Sequence, residues 1–134
     1  MNSGLIKALE HEVALISKTS HFQTAMRVEG EAQYLTAENE LVIFRIIQEA
    51  LTNVIKHANA RMVNIELNYA NSALIVTMKD DGIGFNAQKV EESNGLNNMK
   101  NRTDFLQGEF YIDTKPGEGT KIIITIPYQL TTHV

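Results

Sequence analysis

Arg45-Ile-Ile-Gln-Glu-Ala-Leu-Thr-Asn-Val-Ile-Lys-His-Ala58 is the stretch whose reading decides the rest. At about 3.6 residues per turn it is a two-faced helix. Ile43, Ile47, Ala50, Leu51, Val54 and Ala58 form one apolar side that needs a core to lie against. On a second stripe Arg45, Glu49, Asn53 and Lys56 recur at helical steps, each within about 40° of Glu49 around the axis, so their heads can converge. A carboxylate, an amide oxygen and an ammonium together suit a phosphate-bound divalent metal. Glu and Asn offer hard oxygen ligands or a base, and Lys a point charge for phosphate. Taken alone, the stripe reads first as a solvated face with a Glu and a Lys in ion-pair reach.

Working outward, Thr36 is placed to N-cap this helix, with Glu38 and Glu40 complementing its dipole in the first turn. Upstream, Phe22, Thr24, Met26 and Val28 alternate with polar or small residues as a half-buried strand ending at Gly30. Before it, Ser3 caps a helix carrying Leu5, Ile6, Leu9, Val13 and Ile16, which runs to about Ser17. Downstream the central helix stops near Asn59. Val63, Ile65, Leu67 and Tyr69 then make a strand with one wet face, and Asn71-Ser72 a hairpin turn. Leu74, Val76 and Met78 carry the next strand into Asp80-Asp81-Gly-Ile-Gly-Phe85.

Residues 86–94 are polar and aperiodic, a loop expected to move. Gly95-Leu-Asn-Asn98 opens a third helix that buries Leu96, Met99, Phe105 and Leu106 and closes at Gly108. Phe110 and Ile112 mark a short strand, Lys115-Pro-Gly-Glu-Gly119 a turn, and Thr120 to Pro127 a final strand. The expected architecture is α+β: about three helices on one face of a mixed, mostly antiparallel sheet.

The chain has 134 residues, enough for one domain with a real core, so residues 1–134 are read as a single unit with frayed ends at 1–3 and 129–134. A net charge of −4 without a long basic run argues against nucleic acid as the main partner. The absence of cysteine excludes a disulfide framework and a thiolate zinc site. No apolar run approaches the roughly 20 residues that span a bilayer, and no signal-peptide pattern opens the chain. A cytoplasmic domain without direct membrane contact is expected, one that a membrane-anchored parent could still carry.

Three further motifs carry chemistry. Asp80-x-Gly82-x-Gly84 ends an apolar strand, where a carboxylate can accept from an adenine amino group while the glycines let backbone approach a ligand. A tight turn after a strand explains the same letters. Gly95-Leu96 opens a helix whose unpaired amides favour phosphate, or simply ends a loop. Gly117-x-Gly119-Thr120 either flanks an adenine pocket or is only a glycine-rich hairpin turn.

The four motifs in this order resemble the ATP-binding catalytic domain of sensor histidine kinases. That group lies within the family (HATPase_c, GHKL, the Bergerat fold) that also holds gyrase B, MutL and the heat-shock chaperone ATPases. Gln48-Glu-Ala-Leu-Thr-Asn-Val-Ile-Lys-His-Ala58 and the opening Gly4-Leu-x-x-Ala8-Leu9 look most like the nitrate-sensor and DesK-like branch, and the resemblance runs from about Gly4 to Tyr128. It implies a two-layer α/β sandwich that binds ATP with Mg2+. By the same resemblance Asn53 ligates the magnesium, Glu49 is a metal ligand or a proton acceptor, and Lys56 contacts phosphate. His57 lines the nucleotide, Asp80 reads adenine with Gly82 and Gly84 beside it, Gly95 and Leu96 form the hinge behind the lid, and Thr120 closes the pocket. Asp81, where the family often has Asn, adds charge near the pocket mouth, and Ser93 replaces a usual glycine.

Such kinases phosphorylate a histidine on a separate two-helix dimerisation domain and pass the group to a response regulator. His11, His21, His57 and His133 lie in no acceptor context, so this chain reads as a catalytic fragment. It is expected to be monomeric and unable to phosphorylate itself. A stand-alone anti-sigma-factor-like serine kinase, and a nucleotide-sensing interaction domain without transfer activity, are the alternatives.

Overall fold

The computed structural model describes residues 4–19, 22–33, 35–58, 60–83 and 94–128. Its central helix α2 (Ala37–Asn53) starts as its sequence dictates. The Thr36 side chain accepts from the Asn39 N–H at 3.1 Å, and Glu38 and Glu40 occupy the first turn. Ile43, Ile46, Ile47, Ala50 and Leu51 are buried along it. Ile46 lies outside the single apolar side read from the sequence. It is buried all the same, and α2 is flanked by two further helices, α1 (Gly4–Thr19) and α3 (Asn94–Phe105).

Five strands form the sheet in the order β1-β2-β3-β5-β4. β1 (Gln23–Glu29) pairs in parallel with β2 (Met62–Tyr69), and the crossover between them contains α2. β2 with β3 (Ala73–Asp80), β3 with β5 (Thr120–Pro127), and β5 with β4 (Glu109–Thr114) are antiparallel. The mixed, mostly antiparallel sheet and its layer of helices are as expected, with three α-helices among the described residues.

The core lies between the layers, where alternate residues of each strand point. β2 contributes Val63, Ile65, Leu67 and Tyr69, β3 Leu74, Val76 and Met78, and β5 Ile122, Ile124 and Ile126. Each fully buried Leu or Ile stabilises by about 1.5–3 kcal/mol. Strand register sets where this apolar face turns polar. Leu74–Ile126, Val76–Ile124 and Met78–Ile122 are partners across β3 and β5, and the next pair inward on that face is Asp80–Thr120. A carboxylate therefore occupies a core position at the end of an apolar row.

Three expectations are corrected. α1 runs to Thr19, two residues past its sequence estimate. The central helix does not continue as an α-helix to Asn59: from Val54 to Ala58 it widens to a π turn, and the Val54 N–H reaches both the Ala50 and Leu51 carbonyls. Phe105 is exposed at 58 %, not buried. It lies nine residues beyond Leu96, about 900° of rotation and so half a turn away from the buried face. Thr103 takes the inward place instead, fully buried, its hydroxyl donating to the Met99 carbonyl at 2.7 Å.

Candidate nucleotide-binding site

Asp80 ends β3 with only 6 % of its surface exposed. Its Oδ1 accepts the Gly82 N–H at 2.8 Å, which folds the chain back beneath the carboxylate. Burial pushes the carboxyl above its ordinary value. The Gly82 hydrogen bond opposes that rise, the Asp81 charge adds to it, and a backbone hydrogen bond from Thr120 opposes it again. An ionised acceptor held in a dry wall is suited to a ligand donor that replaces the lost water.

That wall bounds an apolar cavity whose lining includes Asn53, Asp80, Leu96, Met99, Thr120 and Ile122. Residues from α2, β3, α3 and β5 thus meet around one apolar space with a few polar groups at its edge. Thr120 is buried, and its hydroxyl lies 2.9 Å from that of Thr114. Gly119, at φ +80°, lets the turn pass so close to Asp80 that a Cβ there would sit 2.3 Å from the Asp80 carbonyl oxygen.

At the α3 end the contact is with side chains of α2. A Cβ on Gly95 would lie 3.1 Å from Glu49 Oε1 and 3.2 Å from Asn53 Oδ1. The first turn of α3 is laid over the two oxygen-bearing side chains of the α2 stripe. Both oxygens neighbour one point in space, so one hydrated Mg2+ could engage them directly or through its water shell. Among the described residues no group of three or more His, Cys, Asp or Glu could hold a metal unaided. A site of this type suits a cation that shares its shell with phosphate oxygens.

The stripe is only partly a unit. Glu49 and Asn53 are half-buried and adjacent, but Arg45 donates to Gln48 Oε1 at 3.0 Å, and Lys56 is exposed in the π turn. His57 belongs to the same turn by its backbone, and its side chain is outside the described set. Gly84, the loop through Ser93, His21, His133 and the termini 1–3 and 129–134 lie outside the described residues.

Asp81 is the residue whose role the sequence hid. Its Oδ1 accepts the Arg61 and Met62 N–H groups at 2.8 and 2.9 Å, tying the Asp-x-Gly corner to the start of β2. Those bonds, Met62 first, hold its carboxyl below the ordinary range. An Asp-Gly pair after a strand signals a turn, and the partners about twenty residues away are invisible until β2 and β3 are paired.

The profile described as histidine kinase-, DNA gyrase B-, and HSP90-like ATPase matches residues 38–130. The chain belongs to this ATPase family. It is 37% identical over 125 residues to the signal transduction histidine-protein kinase/phosphatase DegS of Brevibacillus brevis, covering 92% of this chain and 32% of that protein. It is 35% identical over 126 residues to the sensor histidine kinase ComP of Bacillus subtilis, covering 92% and 16%. The chain thus spans a third or less of these curated relatives. Among solved structures, the histidine kinase domain of the Erythrobacter litoralis EL346 blue-light activated kinase superposes with a TM-score of 0.78 at 23% identity, over 92% of this chain and 61% of that one. The catalytic domain of the histidine kinase ThkA gives 0.75 at 16% identity, over 92% and 90%. These likenesses establish the shared fold, and the sequence relatives place the chain with the catalytic ATPase part of sensor histidine kinases. Among the described residues no helix is long and apolar enough to cross a membrane.

Proposed function

We propose that this domain binds ATP with Mg2+ in the cavity joining Asp80 to Asn53 and, in its parent protein, donates the γ-phosphoryl group to a histidine on a dimerisation domain. The observation that carries the reading is the stacking of Gly95 on Glu49 and Asn53 at the end of a cavity that begins at a buried carboxylate.

In this reading Asp80 accepts from the purine amino group, with Gly82, Gly84 and Thr120 shaping that end. The positive end of the α3 dipole, at Gly95 and Leu96, favours the phosphates. Asn53 and Glu49 would hold Mg2+, which supplies charge neutralisation across the phosphate oxygens. Lys56 adds a point charge, and His57 lines the nucleotide. Glu49 has a second candidate duty as acceptor of the imidazole proton. The attacking ring nitrogen forms the new bond to phosphorus, the bond to the bridging oxygen breaks, and ADP leaves. Positioning and charge supply most of what such a transfer needs.

The isolated domain is then monomeric and does not phosphorylate itself, and a response regulator receives the group downstream. A serine kinase of the same fold is not favoured, because the curated relatives DegS and ComP are histidine kinases. Incubation of the chain with labelled ATP and the parent's dimerisation module tests the proposal. An acid-labile phosphoprotein that requires Asn53 and Mg2+ is the expected product. An acid-stable phosphate on a hydroxyl side chain would refute it.

A further inference from the structure

Beyond the purine cavity, a second cleft of about 640 Å3, mouth included, opens between α1, α2 and α3, lined by Glu12, Arg45, Gln48, Glu49, Thr52 and Arg102. We propose that Arg102 binds the terminal phosphate of a nucleoside triphosphate, presented from α3 into the cleft it shares with Glu49. The proposal rests on the nucleotide reading of the neighbouring cavity and names a residue that no motif in the sequence singled out.

The placement follows from helix geometry. Gly95 of α3 lies on Glu49 and Asn53, and Arg102, two turns later, borders the cleft with Arg45, Gln48 and Glu49. The two helices therefore run antiparallel. Helical side chains lean toward their own N-terminus. Arg102 then leans back toward the Gly95 end, where the Glu49 carboxylate lies beside Asn53. Asn53 borders the purine cavity, and Glu49, one turn before it, borders this cleft. A ligand laid from Asp80 past Asn53 brings its last phosphate to Glu49 and Arg102.

The state of the guanidinium fits that role. Arg102 is half-buried. Among the described residues the ion pair present is Arg27–Glu29 on β1, so Arg102 is clamped to neither Glu12 nor Glu49. Arg45, by contrast, is exposed and engaged with Gln48. A partly desolvated guanidinium gains from an anion, and its rigid fork of donors matches phosphate oxygens.

Calorimetric titration of the 134-residue chain with Mg-ATP and Mg-ADP tests this. Arg102→Gln is expected to weaken ATP about tenfold or more and leave ADP within about twofold. Arg102→Lys should recover part of the ATP preference. Equal loss of ATP and ADP, or no loss of either, would overturn the proposal. Circular-dichroism melting of each variant guards against misfolding. Should the Gln variant melt early, Arg102→Met decides: an unchanged ATP-to-ADP preference in a natively melting Arg102→Met overturns the proposal. Asp80→Ala separates the two claims. It should weaken both nucleotides, and unchanged affinities there would bring down the site reading itself.

Discussion

Gly95 and Asn53 touch: a single methyl added to Gly95 would stand 3.2 Å from the Asn53 amide oxygen and 3.1 Å from Glu49 Oε1. A side chain at this position would force the Glu49 and Asn53 heads to give by a few tenths of an ångström. Gly95→Ala should leave global stability within about 1 kcal/mol, since Ala is the better helix former by a similar amount. The same change should displace the Glu49 and Asn53 heads and weaken Mg-nucleotide binding about tenfold. Urea unfolding and calorimetry on one preparation measure both quantities. Parallel loss of stability and binding would mean that Gly95 matters to the fold and not to the site.

Asp80 trades stability for chemistry. Burial raises its carboxyl above the ordinary value of about 3.9, so the folded state holds the proton more tightly than the unfolded chain. The ionised group is then a cost at neutral pH. That cost shrinks as pH falls through the raised folded value toward the unfolded one. Asp80→Asn is expected to melt above the wild type at pH 7, with the difference narrowing as pH is lowered toward about 4. A lower melting temperature for the Asn variant at pH 7 would contradict the burial argument.

Asp81 behaves oppositely. Its carboxylate takes two backbone N–H groups at the start of β2, and its pKa lies below the ordinary value. Its contribution is present above the unfolded value of about 3.9 and is lost as pH falls through the folded one. Asp81→Ala should cost about 1 kcal/mol at pH 7, the size of a helix-cap loss, and Asp81→Asn less than half of that. Chemical denaturation at pH 7 and pH 3 checks the sign, because the Ala penalty should shrink in acid.

The turn before β5 supplies an internal comparison. Gly117 and Gly119 both have φ near +80°, but a Cβ on Gly117 meets nothing within 4 Å, whereas one on Gly119 would strike the Asp80 carbonyl oxygen. Gly117→Ala should cost about 1–2 kcal/mol from backbone strain alone. Gly119→Ala should cost clearly more and weaken nucleotide binding by moving Asp80. Equal penalties in urea unfolding would show that the close approach is not binding on the fold.

Much of the fold is written in local chemistry. Thr36 caps where a threonine before an acidic first turn should, and the strict alternation of β2 and β5 assigns their faces without further help. Asp80 is legible twice over, as a motif letter and as a charged residue at an inward position of an apolar strand. What stays hidden depends on packing between distant segments. The bonds from Arg61 and Met62 to Asp81 exist only once β2 and β3 are in register. Burial of Ile46 is set by tertiary packing around α2, which contacts both α1 and α3. The π turn at Val54–Ala58, which carries Lys56 exposed to solvent, leaves no mark in residue propensities. Phe105 is misassigned by hydrophobicity, although its angular position already puts it outside.

The central claim is that one nucleotide spans the space from Asp80 to the Gly95 end of α3. Its most direct test is amide chemical-shift mapping of the labelled chain during titration with Mg-ATP. The account predicts that Gly82 and Thr120 at one end, and Gly95 and Leu96 at the other, shift along a single saturating curve with one dissociation constant. Saturation at one end alone, two separate curves, or no saturable shifts at these residues would contradict it.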